Sequence, residues 1–375
     1  MAKKILGIDV GGDSLKLALV SGGKVLKTAT VSMPKHMIKD GHIVSRESMG
    51  DLIRTALKDN GIHARDAAYM MPNETVFIKN VTMPRMSADQ LVFNLPFEFR
   101  DYITDDVSGY LFDYATLSSE DASGEKARRV KLPKAKKAQK DEAPVEAAPE
   151  ESPGAPPPET AAEEAAEEAA EEDTMELLAV GTPRATMDDL RDMMHKAGLR
   201  LVKAAPALCS HVGLLRSNRH LFDEYQEFCI LDLGYRAIRM YMYKADRHIV
   251  TRELEYGLSY LDDVLADQYN VDVHLAHTYL ITDYEGCQRQ DACMNAYATI
   301  AVELMRAMNF YRFSNPDSRL SDVWLCGGGV ENDALCESIA QTLGMNIHPA
   351  SELVHGGEGI PHCDSFIQAI GITMD

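Results

Sequence analysis

At 375 residues, 45% of them apolar, the chain is long enough to bury a large core and to form more than one domain. Its formal net charge of −20 argues against a general affinity for nucleic-acid phosphates or anionic lipid surfaces. The 7 cysteines, odd in number and without a CxxC pair, fit reduced thiols better than a disulfide framework.

Lys3-Lys4 lead straight into apolar patterning, which leaves no room for a signal peptide, and no apolar run approaches the roughly 20 residues that span a bilayer. A cytoplasmic protein is expected. Residues 5–20 then set the theme. Apolar residues climb to Asp9, Gly11 and Gly12 turn the chain, and Leu15, Leu17 and Leu19 alternate. The pattern predicts a β-hairpin with Asp9 near its tip. Glycines there let backbone N–H groups approach a phosphate, and Asp9 can reach a metal ion through water.

Residues 24–31 continue as a third strand. Leu52, Ile53, Ala56 and Leu57 share one face of a helix that Gly61 ends. Residues 67–71 and 76–83 read as strands, punctuated by Pro72 and Pro84. Ser87 caps a helix carrying Leu91, Leu95 and Phe99, bent at Pro96. Residues 110–114 form a further strand. From 118 to 174 the globular pattern disappears: 126–140 holds eight basic residues and no acidic one, 141–173 thirteen acidic and no basic one. Prolines and alanines fill the gaps, so a disordered linker is expected, with a span of about 40 Å. Strand 175–181, a helix over about 186–196 and a strand through Val202 follow. A strand–helix–strand–strand–helix–strand unit over about 75–205, interrupted by the charged linker, is the resulting expectation.

At Asp232 the opening pattern returns. Moving the first hairpin by 223 residues sets Asp9 on Asp232, Lys16 on Arg239, and Leu15, Leu17 and Leu19 on Ile238, Met240 and Met242. Residues 24–28 fall on 247–251. Two halves that open with one three-stranded meander imply a duplication, and facing halves would bring Asp9 and Asp232 together across a cleft suited to phosphates and Mg²⁺. A strand into Gly327-Gly328-Gly329, followed by a helix from about 331 to 343, offers backbone against which a purine and ribose can lie. The helix before it, about 290–314, carries a stripe from Cys293 to Tyr311 that reads as core.

Hairpin, insertion, second hairpin and late triple glycine resemble the actin-like ATPase superfamily. More closely, they are similar to the PilM family of type IV pilus assembly proteins. The carrying stretches are Ile8-Asp9-Val10-Gly11, Met83-Pro84, Ile230-Leu231-Asp232-Leu233-Gly234, Arg252-Glu253-Leu254 with Gly257, Glu303 and Arg306 with Phe310-Tyr311, Leu325 to Gly329, and Ala369-Ile370-Gly371. The resemblance implies an α/β chain with a duplicated actin-like (ribonuclease H-like) ATPase fold and an inserted SHS2-like subdomain of the 1C type. Its domains would be 1–74 (first half of domain 1), 75–205 (insert), 206–226 (return helix), 227–365 (domain 2) and 366–375 (a terminal helix returning to domain 1). It also implies ATP and Mg²⁺ as cofactors. Gly11, Gly12, Asp13, Ser14 and Lys16 would bind phosphate in the first loop and Gly234 in the second. Gly327, Gly328 and Gly329 would hold adenosine, with Asp9 and Asp232 orienting the hydrated metal.

Two departures bear on catalysis. Family members usually carry Ser or Thr shortly after the second Asp-x-Gly, where this chain has Tyr235-Arg236-Ala237. They also tend to carry Ala-Glu and then Lys on the helix after the second meander, where Ala276 is followed here by His277 and Leu280. Nucleotide binding is therefore expected more than efficient hydrolysis, with Arg236 or Arg239 replacing some phosphate contacts. The implied partners are the cytoplasmic N-terminal peptide of a PilN-like inner-membrane protein, which would recruit the chain to the membrane, and the assembly motor ATPase, with self-association open. Nucleic acid and direct membrane insertion are not expected. Related type II secretion or competence machines fit the same reading. Two alternatives rank lower. An FtsA-like division protein would need a terminal amphipathic helix that Met374-Asp375 does not provide. A ROK-like sugar kinase, whose opening residues 7–12 resemble, would need an Asp base and commonly a clustered-cysteine zinc motif.

Overall fold

The chain opens as an antiparallel meander: β1 (Lys4–Val10), β2 (Ser14–Ser21) and β3 (Lys24–Ser32). The computed structural model describes residues 2–34, 36–39, 41–103, 106–116, 174–219 and 226–374. The charged linker expected over 118–174 therefore falls almost entirely outside the described residues. After a two-stranded ribbon, β4 (Ile38–Lys39) and β5 (His42–Ile43), helix α1 (Arg46–Asp59) starts at Ser45, whose hydroxyl accepts the Ser48 N–H. The buried face of α1 holds Met49, Ile53, Ala56 and Leu57, three or four residues apart, as helical periodicity requires. β6 (Asp66–Met71) then pairs parallel to β1.

The chain divides into two compact units, Phe77–Gly181 and the remainder. The inserted unit contains β7 (Phe77–Pro84), α2 (Ala88–Asn94), β8 (Tyr110–Thr116) and most of β9 (Thr174–Pro183), with the sheet order β7-β9-β8. Ser87 and Gln90 form a capping box at the start of α2. Pro96 falls where that helix tightens into a 3₁₀ turn over Leu95–Phe99. Leu91, Leu95, Phe99, Leu177 and Ala179 form the unit's own core.

This corrects the insert boundaries of 75–205. Helix α3 (Arg184–Lys196) and strand β10 (Arg200–Pro206) belong to the other unit. Leu190, Met193 and Met194 of α3 share a core with Met49 and Ile53 of α1, and β10 pairs parallel to β6. α3 and β10 close the five-stranded sheet of the first half, and after β9 their one-dimensional pattern is the same as that of an inserted half-unit. Helix α4 (Ala207–Ser217) follows, shorter than the 206–226 expected, with 220–225 outside the described residues.

The second half repeats the first. β11 (Glu227–Leu233), β12 (Ile238–Lys244) and β13 (Arg247–Leu254) form its meander. β14 (Asp322–Cys326) and β15 (Asn346–Pro349) extend it in parallel. The sheet orders β3-β2-β1-β6-β10 and β13-β12-β11-β14-β15 are one topology twice. The offset of 223 residues that carries Asp9 to Asp232 also carries the whole β1/β2 register onto β11/β12. Even the irregularity recurs, between Leu19 and Val20 in β2 and between Met242 and Tyr243 in β12. β-Bulges set local twist and strand direction, so both meanders bend at the same place.

Helices α5 (Leu258–Tyr269), α6 (Val273–Thr282), α7 (Asp291–Ser314) and α8 (Asp333–Leu343) supply the second half's core. Cys293, Ile300, Leu304, Met308 and Tyr311 of α7 are buried there, as their spacing predicts. The short terminal helix α9 (Ile367–Gly371) lies against β1 and α4. Its approach to β1 is backbone to backbone, because a Cβ on Gly7 would overlap the Ala369 carbonyl. Among the described residues no helix is long and apolar enough to cross a membrane.

Candidate functional site

The tips of the two meanders face one cavity of about 120 Å³. Asp9, Gly11, Gly12, Asp13 and Lys16 line it from the first half. Asp232, Gly234, Tyr235, Arg236 and Arg239 line it from the second, with Gly328 and Gln368. Both tight turns have the same construction. A Cβ on Gly11 would stand 3.1 Å from the Ser14 carbonyl oxygen, and one on Gly234 2.6 Å from that of Ala237. Little but glycine fits at the second.

Each carboxylate is paired across its own hairpin with a cation, Asp9 opposite Lys16 and Asp232 opposite Arg239. Asp9, Asp232 and Lys16 are all buried. Burial pushes the Asp9 carboxyl up to about 6, and the charge of Asp232 adds to the rise while Lys16 opposes it. Asp232 is also raised by burial, against the pull of Arg239, Lys16 and the Gln368 side chain. Two buried carboxylates, each disfavouring ionisation, are a place where a dication relieves the cost. Among the described residues no group of three or more His, Cys, Asp or Glu is placed to hold a metal ion directly. Two carboxylates suit Mg²⁺, which keeps most of its waters and takes only one or two protein carboxylates. The fully buried Tyr69 hydroxyl has no hydrogen-bond partner among the described residues, and burial, with the Asp9 charge adding to it, pushes its pKa up. It stands ready for a bound water or ligand oxygen.

Three of the residues expected in the site do not line it. Ser14 is buried, and its hydroxyl donates to Asp13 at 3.2 Å. Gly327, at φ 94°, is pressed against Asp232 and the backbone of Leu233, and a Cβ on Gly329 would meet the Leu233 side chain at 2.7 Å. These two glycines seat the β14 turn against the second meander. Gly328 alone of the three faces the cavity, with the Lys16 ammonium 3.7 Å from its Cβ position.

The second loop shows what replaces the expected hydroxyl. Tyr235 turns its hydroxyl away from the cavity and donates to Asp262 Oδ2 at 2.9 Å. His277 Nδ1 meets the same buried carboxylate at 3.0 Å. The Tyr235 ring faces the first loop, where a Cβ on Gly12 would lie 2.9 Å from Cδ1. Leu280, at the position where the family tends to carry lysine, is buried in the second core. Asp262 raises the His277 pKa mainly through this hydrogen bond, and Asp13 adds to the effect. The resulting stabilisation is fully present below the ordinary histidine value of 6.5 and fades as pH rises through the raised folded value. Thermal melts of His277→Gln between pH 6 and 8 should lose this pH dependence relative to the unsubstituted protein, whereas parallel curves would show the pair has no energetic weight.

Arg239 is committed elsewhere. Its guanidinium meets Glu253 at 2.6 Å and Glu74 at 3.4 Å. Sequence reasoning missed Tyr69, Glu74 and Gln368, none of which lies in a recognisable motif. The only signal near Gln368 was its neighbour run Ala369-Ile370-Gly371.

The family described as type IV pilus assembly protein PilM matches residues 7–149 and 163–355. A solved "PilM-PilN type IV pilus biogenesis complex" is similar in fold at 17% identity and TM-score 0.73, covering 98% of this chain and 97% of that one. The ethanolamine utilization protein EutJ from Carboxydothermus hydrogenoformans follows at 14% identity and TM-score 0.54, covering 98% of this chain and 88% of that one. No curated protein matches. The family match spans both meanders and the triple glycine, and the fold likeness extends over nearly the whole chain: this chain belongs to the PilM family of type IV pilus assembly proteins, with an actin-like α/β fold.

Proposed function

We propose that this chain is an ATP-binding scaffold of a type IV pilus assembly machine, holding Mg-ATP in the cleft between its two meanders. The observation that carries this reading is the convergence of Asp9 and Asp232, from equivalent positions of the repeat, in one cavity. In the bound state Mg²⁺ would neutralise charge between the carboxylates and the phosphates. Asp9 and Asp232 would hold its waters. Backbone N–H groups of Gly11, Gly12 and Asp13, with the Lys16 ammonium, would receive phosphate oxygens, and the open face at Gly328 would take the nucleoside side. Loop 2 brings no hydroxyl to the cavity, so binding and release, rather than rapid hydrolysis, are the proposed activity.

The same reading includes a PilN-like inner-membrane partner, whose cytoplasmic N-terminal peptide brings the chain to the membrane, and contact with the assembly motor. It is supported by the family and by the similar structure, which is a PilM–PilN complex. Mg-ATP should raise the melting temperature, since a ligand at 100 Kd that binds only the folded state contributes about 2.7 kcal/mol. ATP with chelator should give less, and no rise at millimolar Mg-ATP would overturn the cleft assignment. Fluorescence anisotropy with the partner's N-terminal peptide tests the second part, and absence of binding with and without nucleotide would remove it.

A further inference from the structure

The second loop, 234–237, offers no side-chain hydroxyl to the cavity, because that of Tyr235 is donated to Asp262. Two arginines line the cavity, and Arg239 is held by Glu74 and Glu253. Arg236 forms no ion pair or hydrogen bond among the described residues. Its stem runs along the first loop: a Cβ on Gly12 would stand 3.2 Å from Arg236 Cγ and 3.6 Å from Cδ. Its Nη1 ends 2.5 Å from the Cβ position of Gly41, and Gly12 and Gly41 both line the same cavity. The side chain thus crosses the phosphate loop of the first half with its stem and brings its guanidinium to Gly41 beside the same cavity, with its donors uncommitted among the described residues.

A planar guanidinium presents a fixed fork of N–H donors that matches two oxygens of one phosphate, which neither a tyrosine hydroxyl nor a lysine can do. Glycine at both contact points keeps the path clear, since a side chain at either position would displace the arginine. We propose that Arg236 binds the terminal phosphate of a nucleoside triphosphate and makes the cleft prefer triphosphate over diphosphate. This rests on the nucleotide reading above. It assigns to one side chain the discrimination that the missing hydroxyl would otherwise share.

The test is titration calorimetry of the full chain with Mg-ATP and Mg-ADP, for the unsubstituted protein, Arg236→Gln and Arg236→Lys at constant ionic strength. Arg236→Gln should weaken ATP on the order of tenfold and ADP by less than about threefold, as loss of a charge-assisted, bidentate contact to the last phosphate predicts. Arg236→Lys, which keeps the charge and loses the fork, should fall between. Ligand-free melting temperatures separate a folding defect from a binding defect. Equal weakening of ATP and ADP would overturn the proposal, and so would unchanged ATP binding, which leaves the nucleotide reading intact. Failure of the unsubstituted protein to bind either nucleotide would overturn both.

Discussion

Asp9→Asn should abolish the Mg²⁺-dependent part of nucleotide stabilisation while leaving the ligand-free protein as stable as before, or more so. The expectation comes from the burial of the carboxylate, which lifts its pKa from 3.8 to about 6. At neutral pH the ionised group therefore costs the ligand-free fold on the order of 3 kcal/mol, at about 1.36 kcal/mol per pKa unit. Asparagine keeps the shape and removes the charge. Part of the gain is offset because Lys16, buried opposite, loses its cross-strand partner. A structural carboxylate would behave in the opposite way, destabilising when neutralised.

The pH dependence carries the same sign. A carboxyl raised in the folded state is protonated there first, so its contribution to stability is largest below pH 3.8 and is lost as pH rises through about 6. Metal-assisted binding should weaken over the same interval as pH falls, because the proton competes with the cation. Differential scanning fluorimetry with and without Mg-ATP at several pH values reads both. A ligand-free Asp9→Asn protein that melts well below the unsubstituted one, or that still responds fully to Mg²⁺, would show that Asp9 holds the fold rather than the metal.

Gly7→Ala is expected to cost at least about 3 kcal/mol, at the upper end of what overpacking produces. Gly7 lies mid-strand in β1, paired with Ala18 on one side and Ala68 on the other. The atom in the way of a new methyl is the Ala369 carbonyl oxygen, which is backbone and cannot rotate aside. Either α9 moves off the sheet or β1 bends. Movement of α9 takes Gln368 away from Asp232, so the variant should lose nucleotide affinity as well as stability. Gly359→Ala is the control, with no heavy atom within 4 Å of the added carbon, and should stay within about 0.5 kcal/mol of the unsubstituted protein. Calorimetry compares them, and a Gly7→Ala protein that melts like Gly359→Ala would refute the close approach.

The meanders were legible because two signals coincide in them, strict alternation at Leu15, Leu17 and Leu19 and an Asp-x-Gly that repeats at one offset. Repetition turned a weak motif into a topology, and the structure extends it to register and bulge. The insert boundary was not legible. Residues 184–206 obey the rules of a helix and strand in either unit, and the burial of Leu190 and Met194 against α1 and the pairing of β10 with β6 decide between them. Four-residue β15, Asn-Ile-His-Pro, carries no alternation at all. In the cleft, the residues on the turns were readable from chemistry and spacing. Gln368 and Tyr69 were not, because each arrives from a distant element and has meaning only beside Asp232 or Asp9. The triple glycine was legible as a strand-to-helix turn, but not that two of its three glycines pack against Leu233 and Asp232.

One junction has a bearing on how such chains diversify. Where the inserted unit leaves and re-enters the chain, the Thr182 hydroxyl donates to the Thr75 carbonyl at 2.8 Å, and the first rung beyond pairs Phe77 with Gly181. The two crossings are therefore side by side, and the outer sheet closes without any residue of the insert. An element whose two ends leave the chain at neighbouring positions is a cassette. It can lengthen, shrink or be exchanged for another while the meanders, their shared bulge and the facing aspartates keep their geometry.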